Sequence, residues 1–195
     1  MTGRALIGGV LGGIAVFIWG AVSHMVLGLG EAGIKQIPNE QPVVALLQSA
    51  LHEPGFYFFP GMDEAAMHGT GAEKEAAQRK WTEKYRQGPY GILVYHPTGV
   101  EPISPKQLGI QALTDIAAGL IAAYLLSSAL LGISGVGGRI TFVTLLGLFA
   151  GVSILIPYWN WYGFPSNFIL AGIADRVIGW LAGGIVLALV LRPKP

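Results

Sequence analysis

Four long apolar runs, residues 5–29, 108–133, 140–157 and 168–191, decide what this chain can become. At a rise of 1.5 Å per residue, each comes close to or exceeds the roughly 30 Å of hydrocarbon in a bilayer. In that medium every backbone N–H and C=O must be satisfied within the segment, so the runs are expected to be helices. Composition agrees, with 52% of the residues hydrophobic and 12% charged, far below the charge content of an ordinary soluble domain. A net charge of +1 with no basic stripe argues against a nucleic-acid partner. The chain has no cysteine, which removes disulfides, thiolate metal ligands, cysteine nucleophiles and cysteine lipidation.

The first run has features of a secretory signal, with Arg4 ahead of it and the small residues Ala21-Val22-Ser23 within it. Its apolar character continues past Ser23 to Leu29, so we read it as a span. Basic residues beside spans are retained on the cytoplasmic side. Arg4, Arg139, Arg192 and Lys194 all fall on one side of a four-span chain. Both termini are therefore expected on the cytoplasmic side. The expected organisation is a first transmembrane helix in residues 1–29, an extracytoplasmic α+β insertion in 30–107, and three further transmembrane helices in 108–195. The fold class is an all-α membrane protein carrying that insertion.

Within the insertion, Asn39 is expected to cap a helix running to about Leu51, with Pro42 in its first turn. Thr70-Gly71-Ala72-Glu73 matches a capping box ahead of a polar helix that Gly88-Pro89 ends. Its charges read as a solvated face. The stretches 55–60 and 91–97 are aromatic or β-branched, bounded by Gly and Pro, and are expected to pair as a two-stranded sheet. Such a sheet is marginal alone, so its apolar face should lie on the membrane helices or on another protein. Ser104-Pro105 supplies an N-cap and first-turn proline for the second span.

Small residues recur at helical spacing in every span. Gly9, Gly13, Gly20 and His24 share a face of the first, with Gly8 and Gly12 beside it. Asp115, Gly119, Ala122 and Ala123 repeat the arrangement in the second, and Gly147 and Gly151 in the third. In the fourth, Gly172, Arg176, Gly179 and Gly183 share a face, next to Asp175. Small residues let helices approach closely in lipid, so these faces are expected to meet. Counted from the outer helix ends, Asp115 and Asp175 lie roughly 10 Å deep and His24 roughly 8 Å deep. An intramembrane charge costs roughly 2.5–3.5 kcal/mol, so neighbours at one level should pair. Arg176 is expected to be held by Asp115 across the bundle, or by Asp175 locally, with His24 as a third member. Such a cluster fixes helix register, or else relays protons or ions with the outer aqueous side.

Other chemistry is weaker. Tyr158, Trp159, Trp161 and Tyr162 crowd the connection between the third and fourth spans. Aromatic rings with one polar edge favour the headgroup level; a quinone or lipid pocket is the sharper alternative. Met62, Met67 and His68, with Asp63 and Glu64, place thioethers, carboxylates and an imidazole in one loop that could hold copper or another transition metal. Their spacing matches no defined site, and the plain alternative is packing or surface. His52-Glu53 lacks the second histidine of a zinc-protease helix. Ser23-His24 would be a nucleophile and base only if adjacent residues on a helix converged. Gly135-Val136-Gly137-Gly138 lacks the Lys and Ser or Thr of a phosphate loop and reads as a tight cytoplasmic turn.

The stretches Trp19-Gly20-Ala21-Val22-Ser23-His24-Met25, Gly61-Met62-Asp63, Tyr95-His96-Pro97-Thr98-Gly99 and Tyr158-Trp159-Asn160-Trp161-Tyr162-Gly163-Phe164-Pro165 are similar to those of bacterial multi-spanning membrane proteins of unknown function. The resemblance covers most of the chain and implies architecture, with no catalytic residue. The expected role is a non-enzymatic accessory or assembly subunit in contact with membrane lipids and with other membrane subunits or a second copy. A small proton- or ion-coupled transporter using His24, Asp115, Asp175 and Arg176 is the first alternative. A membrane-embedded metal protein or enzyme is the second. No cofactor is implied.

Overall fold

The computed structural model describes residues 3–133 and 135–192. In chain order they form α1 (Gly3–Met25), a 3-10 turn (Leu29–Glu31), α2 (Glu40–Ala50), β1 (Gly55–Phe59), α3 (Glu64–His68), α4 (Gly71–Gln87), β2 (Gly91–Tyr95), α5 (Pro105–Ala129), α6 (Gly135–Tyr162) and α7 (Ser166–Val190). Helices α1, α5, α6 and α7 are long and apolar enough to cross a membrane. The protein is thus an integral membrane protein. It divides into two compact units, one holding the residues up to Lys35 and from Glu101 onward, the other Gln36–Val100.

Several boundaries move from their sequence-based positions for local reasons. The helical unit keeps residues 30–35 because the 3-10 turn packs against α7. Helix α5 extends ahead of its apolar run to Pro105, with Ser104 as the expected N-cap, because Ser104 and Gln107 close a capping box: the Gln107 N–H donates to Ser104 Oγ at 3.2 Å, and the Ser104 N–H donates to Gln107 Oε1 at 2.9 Å. Helix α6 begins at Gly135, so the expected glycine turn is instead its first turn. It also runs through Pro157 to Tyr162, since a proline removes only one main-chain bond when neighbours hold the helix. The connection to α7 shrinks to residues 163–165.

In the helical unit α1 is central. Its Gly9 and Gly13 face α5, where methyl groups would strike Leu120 Cα at 2.8 Å and Ile116 Cα at 2.5 Å. Its Gly8 and Gly12 face α7, against Val190 and Leu187. The two adjacent small faces thus serve two different neighbours. Across the second seam Gly183 meets Val16 and the Gly12 carbonyl, and Gly179 meets the ring of Trp19. Gly147 and Gly151 of α6 close on Trp180 and Ile173 of α7. The helices therefore follow one another as α5, α1, α7, α6, with α5 and α6 meeting only slightly.

Ala5, Ala122, Ala123, Leu126, Val143, Leu187 and Leu191 form a buried core at the end that carries Arg4, Arg139 and Arg192. Lys194, the fourth residue of the orientation argument, lies outside the described residues. Arg139 is itself buried: its Nε donates to the Gly135 carbonyl at 3.0 Å and its Nη1 to the Leu191 carbonyl. It ties the start of α6 to the C-terminus of α7, where a cation also suits the helix dipole.

In the other unit β1 and β2 pair antiparallel, in register from Gly55 opposite Tyr95 to Phe59 opposite Gly91. Within this unit, part of the cover for the sheet comes from α4. Tyr85 stacks on Phe58 at 6.1 Å, and the Trp81 indole donates to the Pro60 carbonyl at 2.9 Å. The opposite side of α4 is solvated, with an exposed Arg79–Glu75 pair. Neither expected cap at Asn39 nor at Thr70 forms. Asn39 adopts a left-handed conformation and Thr70 an extended one, and both helices start without a side-chain bond from the cap residue.

Candidate functional site

At the end away from the buried core, the helices part. Gly13 touches the main chain of Asp115, but Gly20, two turns on, has nothing within 4 Å of where a methyl would sit. Gly20 was expected to pack a helix and instead borders open space. That space is a cavity of about 530 Å³, whose floor is α1 and whose walls are α5 and α7. Leu108, Gln111, Asp115 and Ala118 recur every three or four residues, so one face of α5 looks into it. From α1 come Trp19, Gly20 and His24, and from α7 come Asp175, Arg176, Gly179 and Trp180. All four expected polar residues, His24, Asp115, Asp175 and Arg176, thus border one recess.

They do not neutralise one another. Among the described residues the ion pair is Arg79–Glu75, in the other unit; neither Arg176–Asp115 nor Arg176–Asp175 forms. The reason is the helix order. Helices α5 and α7 both pack chiefly on α1, so the cavity intervenes between their side chains, and Asp175 and Arg176 diverge by about 100° on their own helix. Each charge finds a near partner instead. The Trp19 indole N–H donates to Asp175 Oδ1 at 2.8 Å and to its carbonyl at 3.1 Å. Gln111 Nε2 donates to both oxygens of Asp115 at 3.1 Å. Arg176 Nη1 donates to the Gly172 carbonyl at 3.3 Å, leaving most of the five guanidinium N–H groups unused.

His24 is oriented by its own turn. Its Nδ1 lies 2.8 Å from Ser23 Oγ and 3.2 Å from the Gly20 carbonyl, while the Ser23 hydroxyl donates to that same carbonyl at 3.2 Å. Both contacts suit a proton on Nδ1, which leaves Nε2 as the acceptor of the neutral ring. Ser23 and His24 therefore converge, contrary to the expectation for adjacent helix positions. Ser23 is fully buried and does not border the cavity, so it presents no nucleophile there. Gly30 lies against the imidazole edge, where a methyl would fall 2.5 Å from Cδ2. His24, Asp175 and Arg176 also border a second cavity of about 230 Å³ with Leu29, Gly30 and Leu155. They stand as a partition between the two spaces.

The remaining expected sites are not brought to the cavity. Tyr158, Trp159, Trp161 and Tyr162 are exposed on the last turns of α6 and border neither space. Tyr158 packs on Tyr162 and Phe164, and the Trp159 indole donates to Ser166 Oγ at 3.1 Å. The expected metal loop is partly helix α3, because Asp63 Oδ1 accepts from the Ala66 N–H at 2.9 Å. Met62 is exposed ahead of it, Met67 is exposed within it, and His68 ends it. Among the described residues no group of three or more His, Asp or Glu is placed to hold a metal ion.

Sequence reasoning missed Trp19, Gln111 and Trp180 as cavity residues. Trp19 did carry a signal: an indole N–H inside an apolar run needs an acceptor, and Asp175 is one of the few such groups available. No protein-family model, curated protein or solved structure matches the chain.

Proposed function

We propose that this is a non-enzymatic accessory subunit of a bacterial inner membrane, with both termini cytoplasmic, whose working part is a polar recess opening toward the outer side. One observation carries the reading. Two carboxylates, a guanidinium and an imidazole border a single cavity at membrane level without forming an ion pair. Dry charges left unpaired in that setting would cost several kcal/mol each. The side chains that keep spare hydrogen-bonding capacity belong to residues that border the cavity, and that capacity calls for water or a polar ligand. The volume of about 530 Å³ lies within the usual range for small-molecule sites. The glycine faces built on Gly8, Gly9, Gly12, Gly13, Gly119, Gly147 and Gly183 support a role inside the subunit rather than docking, because neighbouring helices of the same chain already occupy them.

A carrier using the same residues would need a path past the contact of Gly13 with the Asp115 main chain. That contact favours a one-sided recess. The test uses the absence of cysteine: Ala118→Cys should react with a membrane-impermeant maleimide added outside spheroplasts, and Leu126→Cys in the buried core should not. Failure of Ala118→Cys to react from outside contradicts the recess, and labelling of Leu126→Cys contradicts its one-sidedness. For the accessory role, mild detergent extraction should bring down one reproducible membrane partner. A protein that purifies alone as a stable monomer speaks against it.

A further inference from the structure

We propose that the cavity between α1, α5 and α7 is a zwitterion site, taking a ligand in which an ammonium stands beside an anionic oxygen group. The inference rests on the reading above that the cavity holds a polar group, and it names which kind. One arm is Arg176, whose guanidinium spends a single N–H on the Gly172 carbonyl. A planar fork of unused donors is best satisfied by the paired oxygens of a phosphate or carboxylate.

The other arm is built from acceptors and rings. Asp115 accepts only from Gln111, and Asp175 receives Trp19 on Oδ1, so both carboxylates keep lone pairs for further donors. Trp19, Trp180 and Phe17 border the same space, and indole and phenyl faces attract an ammonium through their quadrupoles. A simple anion would satisfy Arg176 and meet two carboxylates. A simple cation would satisfy the carboxylates and meet Arg176. Among solutes that would displace water from the cavity, one carrying both signs matches each set, and the cavity of about 530 Å³ is large enough for the two groups and the short spacer between them.

Phosphoethanolamine carries this chemistry as a free molecule, and phosphatidylethanolamine carries it as a lipid headgroup. Protein exchanged into phosphatidylglycerol nanodiscs is titrated calorimetrically with phosphoethanolamine, ethylammonium and inorganic phosphate. In a parallel arm the nanodiscs contain phosphatidylethanolamine, and displacement of soluble phosphoethanolamine is read. Phosphoethanolamine should bind at least about tenfold more tightly than either single-charge probe, and each probe should compete with it in the wild-type protein. Arg176→Gln should weaken phosphoethanolamine by about tenfold to a hundredfold while sparing ethylammonium; Asp115→Asn should weaken ethylammonium while sparing phosphate. Binding of the soluble probe that phosphatidylethanolamine leaves undisturbed assigns a free ligand; displacement of the probe by the lipid assigns a headgroup.

Equal affinity for the zwitterion and one simple ion overturns the proposal, as does absence of competition in the wild-type protein. If no probe of either source binds while Ala118→Cys is labelled from outside, the zwitterion assignment falls and the recess stands. If that cysteine is not labelled, the recess itself falls.

Discussion

The contact between Gly119 and the backbone of α1 sets how closely α5 can sit, and a single methyl tests it. At Gly119 an added Cβ would lie 2.7 Å from Gly13 N and 3.0 Å from Gly13 Cα, where ordinary contact begins at 3.4 Å, and it would press on the Gly9 carbonyl as well. All three neighbours are main chain, so no side chain can turn aside and α1 must retreat by about 1 Å. A gap of that size forfeits about a quarter to a half of the attraction of each atom pair, which over a few tens of pairs amounts to about 2 kcal/mol. Gly109, on the same helix, has nothing within 4 Å. Gly119→Ala and Gly109→Ala gain a similar helix-propensity term of about 1 kcal/mol, which cancels in the comparison. Reversible unfolding in mixed micelles should therefore place Gly119→Ala about 2 kcal/mol below Gly109→Ala. Equal stability of the two variants within about 0.5 kcal/mol would refute backbone-to-backbone packing on this seam.

Three further substitutions probe single contacts. Trp19→Phe removes the indole donor from Asp175 and should cost about 2 kcal/mol in the same unfolding assay; an unchanged midpoint would mean that the bond to Asp175 does not form. Arg139→Ala should cost about 3 kcal/mol by leaving the carbonyls of Gly135 and Leu191 without their shared donor, and Arg139→Lys should recover only part of that loss. Full recovery by lysine would reduce the role of Arg139 to its charge. Trp81→Phe should lower protection by about 1 kcal/mol in hydrogen exchange at the paired Phe58 and Ile92 positions, and unchanged exchange would show that the bond to Pro60 does not anchor β1.

Which segments become helix or strand was legible because hydrocarbon length and runs of β-branched or aromatic residues bounded by Gly and Pro act locally. The cap at Ser104 was readable for the same reason, its bond to Gln107 spanning three residues. Capping at Asn39 and Thr70 was not, because a cap needs backbone angles that the preceding turn decides, and at Asn39 that turn is left-handed. The meeting of small faces was legible at Gly9, Gly13 and Gly119, but the pairing of charges was not. Pairing depends on which helices adjoin, and α1 carries two small faces, either of which could have met α5 or α7. Gly20 and Gly13 are indistinguishable in pattern, yet the helices diverge between them. Arg139 was visible as a cation beside a span, but its burial arises from the approach of the α7 terminus, which no local pattern in α6 encodes.

The central claim, that the intramembrane charges face a common recess rather than one another, is tested most directly by a double-mutant cycle on unfolding free energy with Asp115→Asn and Arg176→Gln. A shared hydrated cavity predicts near-additive effects, with a coupling below about 0.5 kcal/mol. A coupling of about 1.5 kcal/mol or more, of the sign that marks mutual stabilisation, would mean the two side chains are bonded across the helices and would contradict the account.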